Sequence, residues 1–212
     1  MHLVMVTSVL RPINDKTVFT LEQRLSQTQK TLISIRRKIP EAHIVVVEGG
    51  EIHDDEKEIL GKLADYIFTT NITEFCKSPG EGNLLYRFLT SDYYLQLTNV
   101  ETISKISGRY FLDDNFKWES LPLDKLIFNY IPIGWMDRPL YNTRYYRIPA
   151  KYIKDIIAGL EKYINSNAAK NAWPDIEHCF YIYVVQHHDE VYSPEKLGVT
   201  GMITNSAKIV SD

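Results

Sequence analysis

Residues 2–48, HLVMVTSVLRPINDKTVFTLEQRLSQTQKTLISIRRKIPEAHIVVVE, decide the fold. The run His2–Thr7 is apolar and of strand length, and the loop after it holds Arg11, Pro12 and Asn14. From Phe19 to Lys38, Leu21, Leu25, Leu32 and Ile35 return at helical spacing, followed by Ile39. Pro40 stops the pattern, because proline cannot donate a hydrogen bond inside a helix. His43–Glu48 is a second apolar run, rich in β-branched residues and closed by Gly49-Gly50. A strand with one wet face alternates apolar and polar residues; an unbroken apolar run is expected to be covered on both faces. Strand, helix, strand in this order is the parallel βαβ signature, whose right-handed form is strongly favoured.

The rhythm continues outward. Asp54 to Lys62 reads as a short helix, Asp65 to Thr69 as a third strand and Glu81 to Gln96 as a longer helix. Glu101 to Ser107 reads as a fourth strand ending at Gly108, and Asp124 to Tyr130 as a fifth. Beyond that the alternation is lost: a strand at 143–148, a helix at 150–164, and a second helix opened by Pro174-Asp175 and running towards Gln186. The fold class expected is α/β, Rossmann-like, with a mostly parallel central sheet flanked by helices, in one domain over residues 1–212.

Composition removes several function classes. With 44% apolar and 24% charged residues, the chain buries enough surface to offset the entropy of ordering it, which excludes disorder. A net charge of −3 gives no basic field for a nucleic acid. Cys76 and Cys179 are far apart with no metal-ligand spacing, which suits a reducing compartment and points to the cytoplasm. There is no charged-then-apolar leader and no window of about 18 apolar residues, so no membrane span is expected. The sequence also fits one module of a longer chain. Its 14 Tyr, 8 Phe and 3 Trp suit either sugar and base stacking or ordinary core packing.

Ligands of open parallel sheets bind beyond the carboxyl ends of the strands, which directs the search for chemistry. Thr7 and Ser8 follow the first strand, Arg24 lies one turn into the first helix, and Glu48 ends the second strand beside two glycines. Hydroxyls, a guanidinium and a carboxylate there suit contacts to a base, a ribose or a phosphate. Segment 77–83, KSPGEGN, precedes a helix, where free N–H groups favour a phosphate and Lys77 adds charge. No Gly-Lys-Ser/Thr follows, so it is not a P-loop.

Residues 105–114, KISGRYFLDD, are the most informative piece. With Val-Thr-Ser at strand one, Glu-Gln-Arg-Leu-Ser-Gln-Thr on the next helix and Ile-Pro-Glu-Ala-His-Ile-Val-Val-Val-Glu at strand two, this stretch resembles GT-A glycosyltransferases of the capsule-, surface- and virus-glycan kind, over about residues 3 to 112. That resemblance implies a nucleotide-sugar donor, a UDP-sugar foremost, with Thr7, Ser8, Arg24 and Glu48 near the nucleoside and Lys105 and Arg109 near the diphosphate or sugar. The order of elements likewise suggests a nucleotide-binding half over about residues 1–112 and an acceptor-side half over about 113–212. In that fold an Asp-X-Asp motif at a strand end holds Mn²⁺ or Mg²⁺ on the donor diphosphate. Here the slot reads Ser107-Gly108-Arg109, and Asp113 and Asp114 come about one turn later. Either those two carboxylates hold a cation or Lys77, Lys105 and Arg109 meet the leaving group's charge directly.

The second half supplies candidates for acid–base work. Residues 173–178, WPDIEH, put Asp175 and Glu177 at a helix start, where either suits a general base on an acceptor hydroxyl. Asp137 is a third candidate catalytic carboxylate, in a loop where Trp135 suits sugar stacking. His188, beside His187 and Asp189, is a candidate metal ligand. The activity expected is transfer of a hexose or deoxyhexose to a hydroxyl of a glycan. Two alternatives stand beside it. A sugar-nucleotide nucleotidyltransferase calls for a glycine-rich turn that 7–12 lacks, and a binding module would keep the fold without the chemistry.

Overall fold

The computed structural model describes residues 1–12, 17–70, 79–134, 137–166, 176–203 and 206–212. Along the chain these form β1 (His2–Ser8), α1 (Leu21–Lys38), β2 (Ala42–Glu48), α2 (Asp54–Gly61), β3 (Tyr66–Thr69), α3 (Pro79–Leu89), α4 (Asp92–Gln96), β4 (Thr102–Ser107) and β5 (Tyr110–Leu112). There follow β6 (Leu126–Ile131), β7 (Leu140–Pro149), α5 (Ile153–Asn165), α6 (Ile176–Val184), β8 (Val191–Tyr192), β9 (Val199–Met202) and β10 (Ile209–Ser211).

Among the described residues seven strands form the central sheet, in the order β3-β2-β1-β4-β7-β6-β8. β1 pairs in parallel with β2 and β4, β2 with β3, and β6 with β8, whereas β7 is antiparallel to both its neighbours. The sheet is thus mostly parallel, with one strand reversed. A small antiparallel sheet, β10-β9-β5, lies apart from it.

The two-sided burial expected of strands one and two is present. Leu3, Met5, Val45 and Val47 pack on one face with Leu84 and Phe88 of α3, Leu160 of α5 and Phe180 of α6. Val4, Val6, Ile44 and Val46 pack on the other with Leu32 and Ile35 of α1 and Leu60 of α2. The aromatics serve mainly the first face, where the Phe128 ring meets those of Tyr141, Tyr146 and Phe180 at centroid distances of 4.9, 5.1 and 5.6 Å. No helix among the described residues is long and apolar enough to cross a membrane.

Local chemistry fixes the element ends. Thr20 caps α1 in a reciprocal box, its hydroxyl accepting from the Gln23 backbone N–H while Gln23 Oε1 accepts from the Thr20 N–H at 2.9 Å. The helix expected at 81–96 is two helices, because Ser91 caps a new start by accepting from the Tyr94 N–H. α3 begins at Pro79, so Gly80 to Asn83 lie inside it and not in a phosphate-cradling loop. Gly82 serves packing instead: a Cβ there would stand 3.0 Å from the Tyr163 ring of α5. β5, β9 and β10 were not expected; runs of three or four residues are too short to declare a period.

Gly198 extends the small sheet's pairing just before β9, its carbonyl accepting from Asp113 N at 2.9 Å and its N–H donating to the Asp212 carbonyl at 3.1 Å. With φ at +77°, and with the Phe116 backbone where a Cβ would point, the position admits glycine alone. Gly198→Ala is expected to lower the melting temperature by roughly 5–10 °C in a thermal scan.

Candidate active site

The chain leaves β1 towards β2 on one side and later returns to β4 on the other, so a crevice opens between the carboxyl ends of β1 and β4. Two cavities lie along this rim. A narrow one of about 20 Å³ is lined by Thr7, Ser8, Arg24, Gln27, Gly108 and Arg109, among others. A wider one of about 370 Å³ is lined by Glu81, Arg109, Tyr110, Thr143, Arg144 and Glu177, among others. Arg109 belongs to both. The structure therefore brings Thr7, Ser8, Arg24, Arg109 and Glu177 to one rim, with Lys105 directly beneath.

Glu48 and Arg24 shape this rim from inside. Glu48 has no exposed surface, and its Oε1 accepts from the N–H groups of Leu10 and Gly50, both at 2.9 Å. It pins the chain as it turns out of β1. Burial pushes its carboxyl up; the Ser8 hydroxyl, the two N–H groups and the Arg24 charge pull the other way. Arg24 is tied to the same turn, donating from Nε to the Val9 carbonyl at 2.7 Å and from Nη1 to Thr17 Oγ1 at 2.9 Å.

Lys105 lies behind the wider cavity's lining, in contact with three of its residues, Ser107, Thr143 and Glu81. It is fully buried, and Nζ donates to Thr143 O at 2.6 Å and Ser107 Oγ at 2.8 Å while pairing with the Glu81 carboxylate. Burial lowers its pKa, and the charges of Glu81 and Glu177 oppose that shift. Thr143 in turn donates from Oγ1 to Glu177 Oε1 at 3.0 Å. On the opposite wall, Arg109 and Arg144 place their guanidinium carbons 5.8 and 5.6 Å from the centre of the Tyr110 ring. Arg144 is paired with Asp212, whose second oxygen accepts from Asn142. Arg109 Nε is buried without a hydrogen-bond partner. A cavity lined by two guanidinium groups, two carboxylates and the Thr143 hydroxyl suits a ligand that carries both negative charge and hydroxyls.

Asp113 and Asp114 are not at this rim, which corrects their expected place beside the donor. β5 runs back along α1: Gly108 sits by Thr28, Leu112 N donates to Ser34 Oγ at 3.0 Å, and Asp114 pairs with Lys38 at 3.1 Å. From Thr28 to Lys38 is about 15 Å along a helix axis. Asp113 is also engaged, accepting from Asn115 N at 2.8 Å and Thr200 Oγ1 at 2.6 Å. The pair therefore does not fit a cation on a ligand bound at Arg109. Among the described residues His53, Asp55 and Glu56 come within 4.8 Å of one another. Glu56, however, is spent on Arg11 and on the His53 N–H, and the group stands at the start of α2.

Asp137 lies on the link from β6 to β7, exposed and at φ 54°, outside both cavity linings. Lys77, Trp135 and Asp175 lie outside the described residues, as does the side chain of His188. The backbone of His188 belongs to the turn that leads into β8 at the far edge of the sheet, three strands from β4. Sequence reasoning missed Gln27, Glu81, Tyr110, Thr143 and Arg144. Gln27 was within reach, because it follows Arg24 by three residues and so shares its face of α1. Arg144 carried no signal, since only the pairing of β7 with β4 brings it to the rim.

Glu48→Ala, which strands two N–H groups, is expected to cost about 2 kcal/mol in urea unfolding. Glu48→Gln keeps the accepting oxygen and is expected to be no less stable than the parent near neutral pH. The sign follows from the raised carboxyl pKa. The folded state holds this proton more tightly, so the parent's extra stability is complete below the ordinary 4.5 and is lost as pH rises through the folded value. The Gln variant lacks that loss, and unfolding midpoints across pH read the difference. No family model matches the chain, and no curated protein matches its sequence.

Proposed function

We propose that the protein transfers a hexosyl or deoxyhexosyl group from a nucleotide diphosphate sugar, a UDP-sugar foremost, to a hydroxyl acceptor on a glycan, on a GT-A-type arrangement and in the cytoplasm. The observation that carries this reading is the meeting of two cavities at Arg109, at the switch point between β1 and β4. A diphosphate at Arg109 would have its nucleoside on the side of Thr7, Ser8 and Arg24 and its sugar in the wider cavity.

The chemistry asked of this chain is modest. The acceptor oxygen attacks the anomeric carbon as the bond from that carbon to the diphosphate oxygen breaks, and the electron pair leaves with the diphosphate. Arg109 meets the charge that develops there, in a site where burial strengthens the attraction. Glu177 takes the proton from the acceptor hydroxyl. Thr143 orients that carboxylate, and the ammonium of Lys105 attracts it from below. Asp113 and Asp114 have no part in this scheme.

Isothermal titration with UDP, GDP, CMP and ADP tests the nucleotide reading, with UDP expected to bind and silence from all four overturning it. Arg109→Ala is expected to weaken UDP binding about tenfold or more, whereas Asp114→Ala changes it less than about twofold. Equal affinity in the Arg109 variant and the parent refutes the role of that side chain. Release of free glucose from bound UDP-glucose separates an enzyme from a binding module.

A further inference from the structure

Glu81 lies in the first turn of α3 and carries one oxygen inward and one outward. Oε1 is sealed inside the fold against the buried ammonium of Lys105, while the side chain keeps 27% of its surface exposed and lines the wider cavity. Oε2 is neither sealed nor hydrogen-bonded among the described residues. Such a carboxylate cannot turn away, because swinging Oε1 off Lys105 would leave a fully buried cation without its counter-charge. The helix that carries it is seated just as firmly. Gly82 is the next residue, and a Cβ there would stand 3.0 Å from the Tyr163 ring of α5 and 3.3 Å from Ile176 Cδ1 of α6, so α3 lies close against both helices. The wider cavity therefore holds a fixed oxygen that can only accept.

An acceptor of this kind calls for a donor on the ligand. An ammonium would bring a charge that Lys105 already supplies; a hydroxyl brings the hydrogen bond alone. We propose that Glu81 Oε2 accepts a hydrogen bond from one hydroxyl of the transferred sugar, which makes Glu81 a specificity-determining residue for donors hydroxylated at that ring position. The inference rests on the nucleotide-sugar reading above. The donor and not the acceptor is the source of the hydroxyl because of how the two carboxylates are tied. Glu81 is held by Lys105 of β4, the strand that runs on to Arg109 and the diphosphate, whereas Glu177, the base for the acceptor, is held by Thr143 of β7. A cavity of about 370 Å³ has room for a hexose. A sugar lacking that hydroxyl leaves Oε2 stripped of water and unmatched, and hydrogen bonds to charged groups are roughly twice as strong as neutral ones.

The test is titration calorimetry of UDP, UDP-glucose and its 2-, 3-, 4- and 6-deoxy analogues against the parent and Glu81→Gln. In the parent one analogue is expected to bind about tenfold or more weakly than UDP-glucose. Glu81→Gln keeps an oxygen on Lys105 and turns a neutral NH₂ to the cavity. It is expected to weaken UDP-glucose about tenfold, to shrink that gap to less than about threefold and to change UDP less than about twofold. If this variant fails to fold, Lys105→Met with Glu81→Leu replaces the buried pair by apolar side chains and is expected to give the same pattern. Four analogues that all match UDP-glucose overturn the proposal. So does undiminished affinity for UDP-glucose in Glu81→Gln, or a gap that survives the substitution. A loss shared equally by UDP and UDP-glucose overturns it too, since Glu81 then acts on the rim and not on the sugar. Binding of UDP without UDP-glucose overturns this inference alone, whereas failure of UDP to bind the parent overturns the nucleotide reading with it.

Discussion

An ammonium group with no exposed surface must be met by acceptors or it destabilises the fold, and Lys105 is such a group in the middle of the central sheet. Its three contacts come from three elements: Ser107 on its own strand, the Thr143 carbonyl on β7 and the Glu81 carboxylate on α3. Glu177 of α6 is drawn in through Thr143 and through charge. Satisfying one buried cation thus gathers two carboxylates and a hydroxyl at the carboxyl rim. The floor of the wider cavity is a by-product of neutralising Lys105.

The remaining basic groups near the rim divide into committed and uncommitted ones. Arg24 holds the turn after β1, and Arg144 is matched by Asp212. Arg109 lies over the Tyr110 ring and lines both cavities. A net charge of −3 over the whole chain therefore says little about the charge at this rim: the count that matters is local.

Much of the fold was legible because β1, β2 and β4 advertise themselves. The apolar runs of β1 and β2 leave little choice but strands covered on both faces, β4 reads as a strand ended by Gly108, and the helices between them follow from spacing. The reversed β7 and the small sheet were not legible, since their pairing is settled by distant partners and not by local pattern. The site divides in the same way. Thr7, Ser8 and Arg109 sit at strand ends or in the turn beyond, and Arg24 one turn into the helix that follows β1, where topology sends them to the rim. Asp113 and Asp114 lie only four and five residues after Arg109, yet the chain reverses between them and carries the carboxylates off along α1. Closeness in sequence misled there because a three-residue strand was invisible.

The reversal of β7 has one further effect. A parallel crossover must span the whole sheet with a helix, but β6 and β7 are antiparallel neighbours joined by residues 132–139 at a single edge. That edge is the rim where Ile131 and Leu140 border the wider cavity. The connection can therefore lengthen, shorten or change composition with little disturbance to either hydrophobic layer, while every such change is felt by whatever occupies the cavity. In an evolving lineage this is where ligand preference would drift fastest at the smallest cost to folding.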